Sequence, residues 1–249
     1  MRKLVSVITP TYNCGAFIGK TIESVQAQTY TDWEMVIVDD CSADNTREVV
    51  ERYAEKDSRI YYHILPENSG AAVARTKAMQ LAKGNFMAFL DSDDLWMPDK
   101  LQRQLDFMQK NSYAFTCTAY EQIDEDGNLL NKTVKTVKKT NYNRLLLDCP
   151  VGNSTVMYNV DAIGKFEVPN IRKRNDDALW LAMLKKEKYI YGMPDVLMQY
   201  RIRKNSISSN KLQLIKYHWI LYREIEHLNV FRSAFHICWW CLLKVFKIK

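Results

Sequence analysis

Three carboxylates crowd into four positions of the segment FLDSDDLW, where Asp91, Asp93 and Asp94 follow directly on an apolar run. Phe86, Met87, Ala88, Phe89 and Leu90 read as a strand apolar on both faces, as in a parallel sheet covered on both sides. The carboxylates therefore arrive at the carboxyl end of that strand, where open α/β sheets bind ligands. Like charges so placed repel one another unless a cation or hydrogen-bond donors offset them. Hard oxygen ligands favour Mg²⁺ or Mn²⁺, and one or two carboxylates plus substrate phosphates are the usual way a protein holds Mg²⁺. Asp91 and Asp93 are accordingly assigned to ligand contact. Asp94 is assigned to capping a following helix, because LWMPDKLQRQLDFM carries a helical pattern.

Other strand ends carry complementary groups. TPTYN (9–13) closes the first strand, and no G-x-G-x-x-G follows it, which weighs against a dinucleotide oxidoreductase. Pro10 and Tyr12 offer a rigid edge and an aromatic body for a base, and Thr11 offers a hydroxyl. Asp40, at the end of the second strand, could accept a hydrogen bond from a pyrimidine N–H; Ser42 or Asp44 suits the cap of the next helix better. Asn68, Ser69 and Gly70 precede a helix whose free N–H groups attract anions, and Arg75 adds a forked donor for phosphate. The four histidines (63, 218, 227 and 236) lie outside every motif, so Ser–His–Asp chemistry has little support.

The elements that must position these groups alternate. Strands are expected at Leu4–Thr9, Met35–Val38, Ile60–Ile64 and Phe86–Leu90. Helices are expected over Gly15–Gln28, from Ser42–Thr46 onward, and from Asn68–Gly70 to about Lys83. That order implies a doubly wound, mainly parallel α/β sheet. Beyond it come a helix to about Lys110, a hairpin turning at Asp126–Gly127–Asn128, strands at Thr155–Tyr158 and Val196–Tyr200, and a helix after Asp176. The 249 residues suffice for one such domain (1–210) with a helical appendage (211–249). Net charge is +6, and residues 211–249 account for much of it, with seven Lys or Arg against Glu224 and Glu226. That argues for a local anionic partner rather than a nucleic-acid-binding domain. Six scattered cysteines, with no signal peptide before Leu4, read as reduced thiols of a cytoplasmic protein. Cys238 and Cys241 lack the context of a redox or zinc motif.

Taken together, SVITPTYN, VIVDDCSADNT, NSGAAVARTKAM and FLDSDDLW resemble the inverting glycosyltransferases of family 2, which have the GT-A fold. RKRNDDALWLAML resembles that family's acidic helix motif, and YRIRKNSIS (200–208) its late loop over the diphosphate. The resemblance implies transfer of a sugar from a nucleotide-sugar, usually UDP-linked, in bacterial surface polysaccharide synthesis. It implies that Pro10, Tyr12 and Asp40 hold the uracil and that Arg75 and Asp91 lie near uridine and ribose, with Asn68 beside them. It further implies that Asp93 binds Mn²⁺ or Mg²⁺ on the diphosphate, and that Arg201, Arg203 and Ser206 steady the leaving group. Asn175 stands where the family often has Glu or Gln, and Asp177 adds a second carboxylate beside Asp176.

An inverting displacement needs one general base and no covalent intermediate. Asp176 is assigned that role because Leu179, Trp180, Met183 and Leu184 define an apolar helix face with Asp176 near its middle, where desolvation would raise its pKa. Two rivals remain: a nucleotidyltransferase, which would want a Gly-rich basic loop after the first strand, and a non-catalytic nucleotide-sugar-binding subunit. The tail interleaves Trp219, Tyr222, Phe231, Phe235, Trp239, Trp240 and Phe246 with its basic residues, too short an apolar run to span a bilayer. It is expected to lie on the inner face of the cytoplasmic membrane, near a glycan or polyprenyl-linked acceptor. Packing on the catalytic domain, or across a homodimer, is the alternative.

Overall fold

The computed structural model describes residues 3–203 and 211–245, leaving aside the side chains of 211–213, 244 and 245. Three units of strand and helix and a fourth strand come first: β1 (Val5–Thr11), α1 (Gly15–Gln26), β2 (Trp33–Asp39), α2 (Thr46–Ala54), β3 (Ile60–Ile64), α3 (Ala71–Leu81) and β4 (Phe86–Phe89). Then follow β5 (Leu95–Trp96), α4 (Lys100–Asn111), β6 (Phe115–Ile123), β7 (Leu129–Val134), β8 (Lys139–Thr140) and α5 (Tyr142–Leu147). A 3₁₀ turn at Asn153–Thr155 leads into β9 (Met157–Asn159), α6 (Val160–Ile163), α7 (Asn175–Leu184) and β10 (Ile190–Arg201). The last elements among the described residues are α8 (Lys211–Ile220), a π-helical turn (Leu221–Ile225) and α9 (Val230–Val245).

The sheet runs β3-β2-β1-β4-β9-β6-β10-β5, with β7 on β6 and β8 on β10. Its first four strands are parallel, β9 is antiparallel to both neighbours, and β6 and β10 are again parallel. The expected doubly wound order is therefore present, extended by a mixed half. Alternation along the strands sends side chains to two cores. Val7, Met35, Ile37 and Ala88 join α1, α2 and α4, whereas Ile8, Val36, Val38 and Phe89 join α3, α5 and α7. In the second core Phe89 meets Trp180 edge-on, with ring centroids 4.9 Å apart. That contact fixes the end of β4 against the first turns of α7, which bear the two groups of carboxylates.

One expectation changes here. A helix does not follow Asp94: Leu95–Trp96 pairs with β10, and α4 begins only at Lys100. The C-terminal region is helical as expected, and it packs onto the rest, since Leu221, Tyr222 and Leu228 belong to the same buried core as α3 and α7. The hairpin is as expected, β6 pairing antiparallel with β7 and Gly127 supplying a positive φ of 94° at its turn.

Candidate active site

The end of β4 is pinned from several sides. Thr21 Oγ1 lies 2.9 Å from the carbonyls of both Ser92 and Asp94. Ser154 accepts from the Asp91 N–H at 3.0 Å and donates to Asp94 Oδ2 at 2.6 Å. Asp94 Oδ1 accepts from the Arg201 N–H at 3.0 Å. Asp94 is thus a buried tie between β4, β10 and the 3₁₀ turn, not a helix cap. Burial, then the charges of Asp93 and Asp91, push its carboxyl well above the usual carboxylate range.

Asp91 accepts from Asn153 Nδ2 at 2.7 Å and pairs with Arg75 at 3.0 Å. The other terminal nitrogen of Arg75 donates to Asn175 Oδ1 at the start of α7. Arg75 is buried and spends both arms inside the protein, so it joins β4 to α7 rather than forking a phosphate. Burial in the cleft and the charges of Asp93 and Asp176 push Asp91 up, with Arg75 opposing.

Asp176 enters the same cleft. A cavity of about 230 Å³ is lined by Asp91, Asp94, Asn153, Ser154 and Asp176, with Tyr120, Met198 and Tyr200 as its less polar wall. Helix α7 is buried on nearly all sides, so it has no single apolar face on which to place Asp176. It is Asp177 that is buried, while Asp176 is half-buried and opens to the cavity. Burial, with Asp176 beside it, raises Asp177 to about 6 against the pull of Arg174, whose guanidinium donates to it at 2.8 Å.

The cleft edge at the end of β2 is shaped by Asp40. Its two oxygens accept the Ser69 and Gly70 N–H groups at 2.7 and 2.8 Å, and Asn68 Nδ2 donates to its carbonyl at 3.1 Å. Gly70 sits at φ 94°, ψ 156°, a conformation open to glycine, where the loop turns into α3. Both oxygens of Asp40 are thus engaged by the β3–α3 loop, and a pyrimidine N–H would share one of them. Pro10 and Thr11 are buried within β1, leaving Tyr12 as the exposed ring of that motif.

Arg203 donates to Asp93 Oδ2 at 3.1 Å and remains partly exposed. Arg201 does not reach outward. It is buried, donating to the carbonyls of Asp93, Asp124 and Glu125 at 2.8–2.9 Å. It therefore fastens the hairpin turn to the strand end instead of meeting a leaving group. Ser206 lies outside the described residues. Among the described residues no group of three or more His, Cys, Asp or Glu could hold a metal. The donor set still fits a hard divalent ion, because Asp93 is a partly exposed carboxylate and substrate phosphates can complete the shell.

Several contributors escaped the sequence reading: Tyr120, Asn153, Ser154 and Met198. The cluster Gly152–Asn153–Ser154 before a strand was the available signal, since small polar residues there close over a neighbouring strand end.

The family model described as glycosyl transferase family 2 matches residues 6–169. A Bacillus subtilis glycosyltransferase named for teichuronic acid biosynthesis, TuaG, is 45% identical over 99% of this chain and 96% of its own length. The Escherichia coli UDP-Glc:alpha-D-GlcNAc-diphosphoundecaprenol beta-1,3-glucosyltransferase WfgD is 40% identical over 87% of this chain and 84% of its own. Among solved structures, S. aureus TarS 1–349 in complex with UDP-GlcNAc superposes with a TM-score of 0.70 at 20% identity, covering 99% of this chain and 73% of that one. That likeness carries the fold.

Proposed function

The chain belongs to glycosyl transferase family 2, and we propose that it transfers a sugar, with inversion, from a UDP-sugar to a polyprenyl-diphosphate-linked glycan in surface polysaccharide synthesis. The observation that carries this reading is one cavity joining Asp176 of α7 to Asp91 at the end of β4. At about 230 Å³ it is smaller than the ~300–1,000 Å³ of a whole-ligand cleft, as suits one sugar ring with the nucleotide lying outside it.

In this reading the uridine lies along Tyr12 and the Asp40–Gly70 loop, and Asp91 faces the ribose and sugar. Asp176 removes the proton from the acceptor hydroxyl as that oxygen attacks the anomeric carbon from the face opposite the diphosphate. The bond from that carbon to the diphosphate oxygen breaks in the same displacement, so no glycosyl-enzyme forms. Arg203 meets the negative charge that grows on the leaving diphosphate. Asp93 would hold a divalent cation, Mn²⁺ or Mg²⁺, whose charge stabilises the same leaving group. Mn²⁺ accompanies GDP-Man in a mannosyltransferase of Pyrobaculum calidifontis with a TM-score of 0.64 to this chain.

No helix of the described residues is long and apolar enough to cross a membrane. We place the enzyme peripherally on the inner face of the cytoplasmic membrane, where a polyprenyl-linked acceptor presents its sugar. The test is a panel of UDP-sugars offered with GlcNAc-diphosphate-polyprenol, with and without EDTA. EDTA-sensitive formation of a β-linked lipid product from one α-linked UDP-sugar is expected. Absence of transfer from every UDP-sugar beside turnover of another nucleotide-sugar would overturn the donor assignment.

A further inference from the structure

Helix α9 has its polarity reversed. The residues it turns inward are Ser233, His236 and Trp240, all buried, with Ile237 partly so. The residues it turns outward are Phe231, Ala234, Phe235, Cys238, Trp239 and Leu242, all exposed. Their spacing of three and four residues makes one continuous stripe along three turns, with no charged side chain in it. Phe231 is 86% exposed and Phe235 58%, and the rings of Phe235 and Trp239 stack with centroids 6.4 Å apart. A water-facing side would carry the polar residues instead.

The stripe continues onto α5. Asn143 and Leu147, one helical turn apart, form with Phe231, Phe235, Arg232 and His236 an open groove of about 540 Å³. Arg232 stands exposed at its edge, Arg144 is exposed next to Asn143, and no carboxylate lines it. The sequence adds Lys244, Lys247 and Lys249 after the stripe. Apolar rings flanked by cations match a surface that is apolar inside and anionic at its face. Leu147 also lies five residues before Gly152, so the groove is a short chain length from the catalytic cavity.

We propose that the outer face of α9, with the adjoining groove on α5, docks the protein on an anionic lipid bilayer, the helix axis lying in the plane of the headgroups. Aromatic rings then enter the interfacial layer and Arg232 meets lipid phosphate. This rests on the peripheral membrane placement above and names the surface that performs it. The π-helical turn before α9 takes no part, since its Leu221 and Tyr222 are in the core.

The test is flotation of the full chain with vesicles of phosphatidylcholine alone and of phosphatidylcholine with phosphatidylglycerol, beside sedimentation velocity without lipid. The wild type should float with the anionic vesicles and sediment as a monomer. F235S with W239S should reduce binding at least about tenfold, and Arg232→Glu roughly fivefold, while UDP-sugar hydrolysis is unchanged. Wild-type protein that floats with neither vesicle overturns the membrane placement and the surface together. Equal flotation of wild type and F235S/W239S overturns the surface while leaving the placement standing. A wild-type dimer that F235S/W239S dissolves shows the stripe to be a contact between two copies and overturns the proposal.

Discussion

Arg174 and His218 are joined across the molecule, a guanidinium nitrogen of one lying 3.0 Å from Nε2 of the other. Arg174 precedes α7 in the left-handed region at φ 65°, an unfavourable place for a non-glycine residue. Its second arm holds Asp177 at 2.8 Å and its Cζ lies 5.7 Å from the centroid of the Trp240 ring. The first turn of α7 is therefore gripped by Arg75 on one side and by α8 and α9 on the other, with Asp176 between. His218→Ala should lower kcat about 10²-fold through misplacement of Asp176, with KM for the donor unchanged. His218→Asn should recover part of the loss. Arg174→Gly relieves the backbone and should still lose kcat; full activity in that variant would show that the grip does not matter.

The Asp40–Gly70 contact gives a second expectation. Gly70→Ala forces an L side chain into φ 94° and should cost about 1 kcal/mol or more in thermal stability. UDP affinity by calorimetry should fall about tenfold as the loop leaves Asp40. Ser69→Ala, which keeps the backbone N–H, should bind UDP as the wild type does.

Asp93 separates metal-assisted from metal-free binding. Asp93→Asn should reduce transfer at least about 10³-fold, in the range of other losses of transition-state charge stabilisation. In calorimetry the wild type should bind UDP more tightly with Mn²⁺ than with EDTA, and the variant should bind equally under both. Retained Mn²⁺ enhancement in the variant would assign the cation to another residue.

The buried carboxyls predict a pH trend in stability. Asp94 is raised well above its ordinary value and Asp177 to about 6, so the native state binds these protons more tightly than the unfolded chain. The native state then carries more protons than the unfolded one as pH rises from the ordinary carboxylate value through about 6, and stability falls across that window. Asp94→Asn keeps an acceptor for the Arg201 N–H and removes one such group. Thermal unfolding followed between about pH 4.5 and 7.5 should show a shallower decline in the variant. A steeper decline would reverse the sign assigned to Asp94.

What the sequence disclosed depended on whether a signal was local. Strand ends marked by an apolar run and a carboxylate, as at Leu90–Asp91 and Val38–Asp39, were legible because burial on both faces leaves no other pattern. The boundaries of β3, an edge strand with only Ile60 buried, were legible instead from its run of β-branched and aromatic residues. Asp94 was misread because its partners, Ser154 and Arg201, are 60 and 107 residues away. Arg75 and Arg201 look like anion ligands in one dimension and prove to be internal ties. The Asp176–Asp177 order of burial was misjudged because α7 is enclosed by both α5 and the tail, a fact that no helical period contains. The tail divided: its aromatics serve both as core, at Tyr222 and Trp240, and as surface, at Phe231 and Phe235.

Whether Asp176 is the base of an inverting transfer is decided by one paired measurement. Transfer to the polyprenyl-linked acceptor and UDP affinity are measured on Asp176→Asn and Asp177→Asn under the same conditions. Asp176→Asn should lose transfer by at least about 10³-fold with UDP affinity unchanged, and Asp177→Asn should keep measurable transfer. An active Asp176→Asn beside an inactive Asp177→Asn would contradict that role for Asp176.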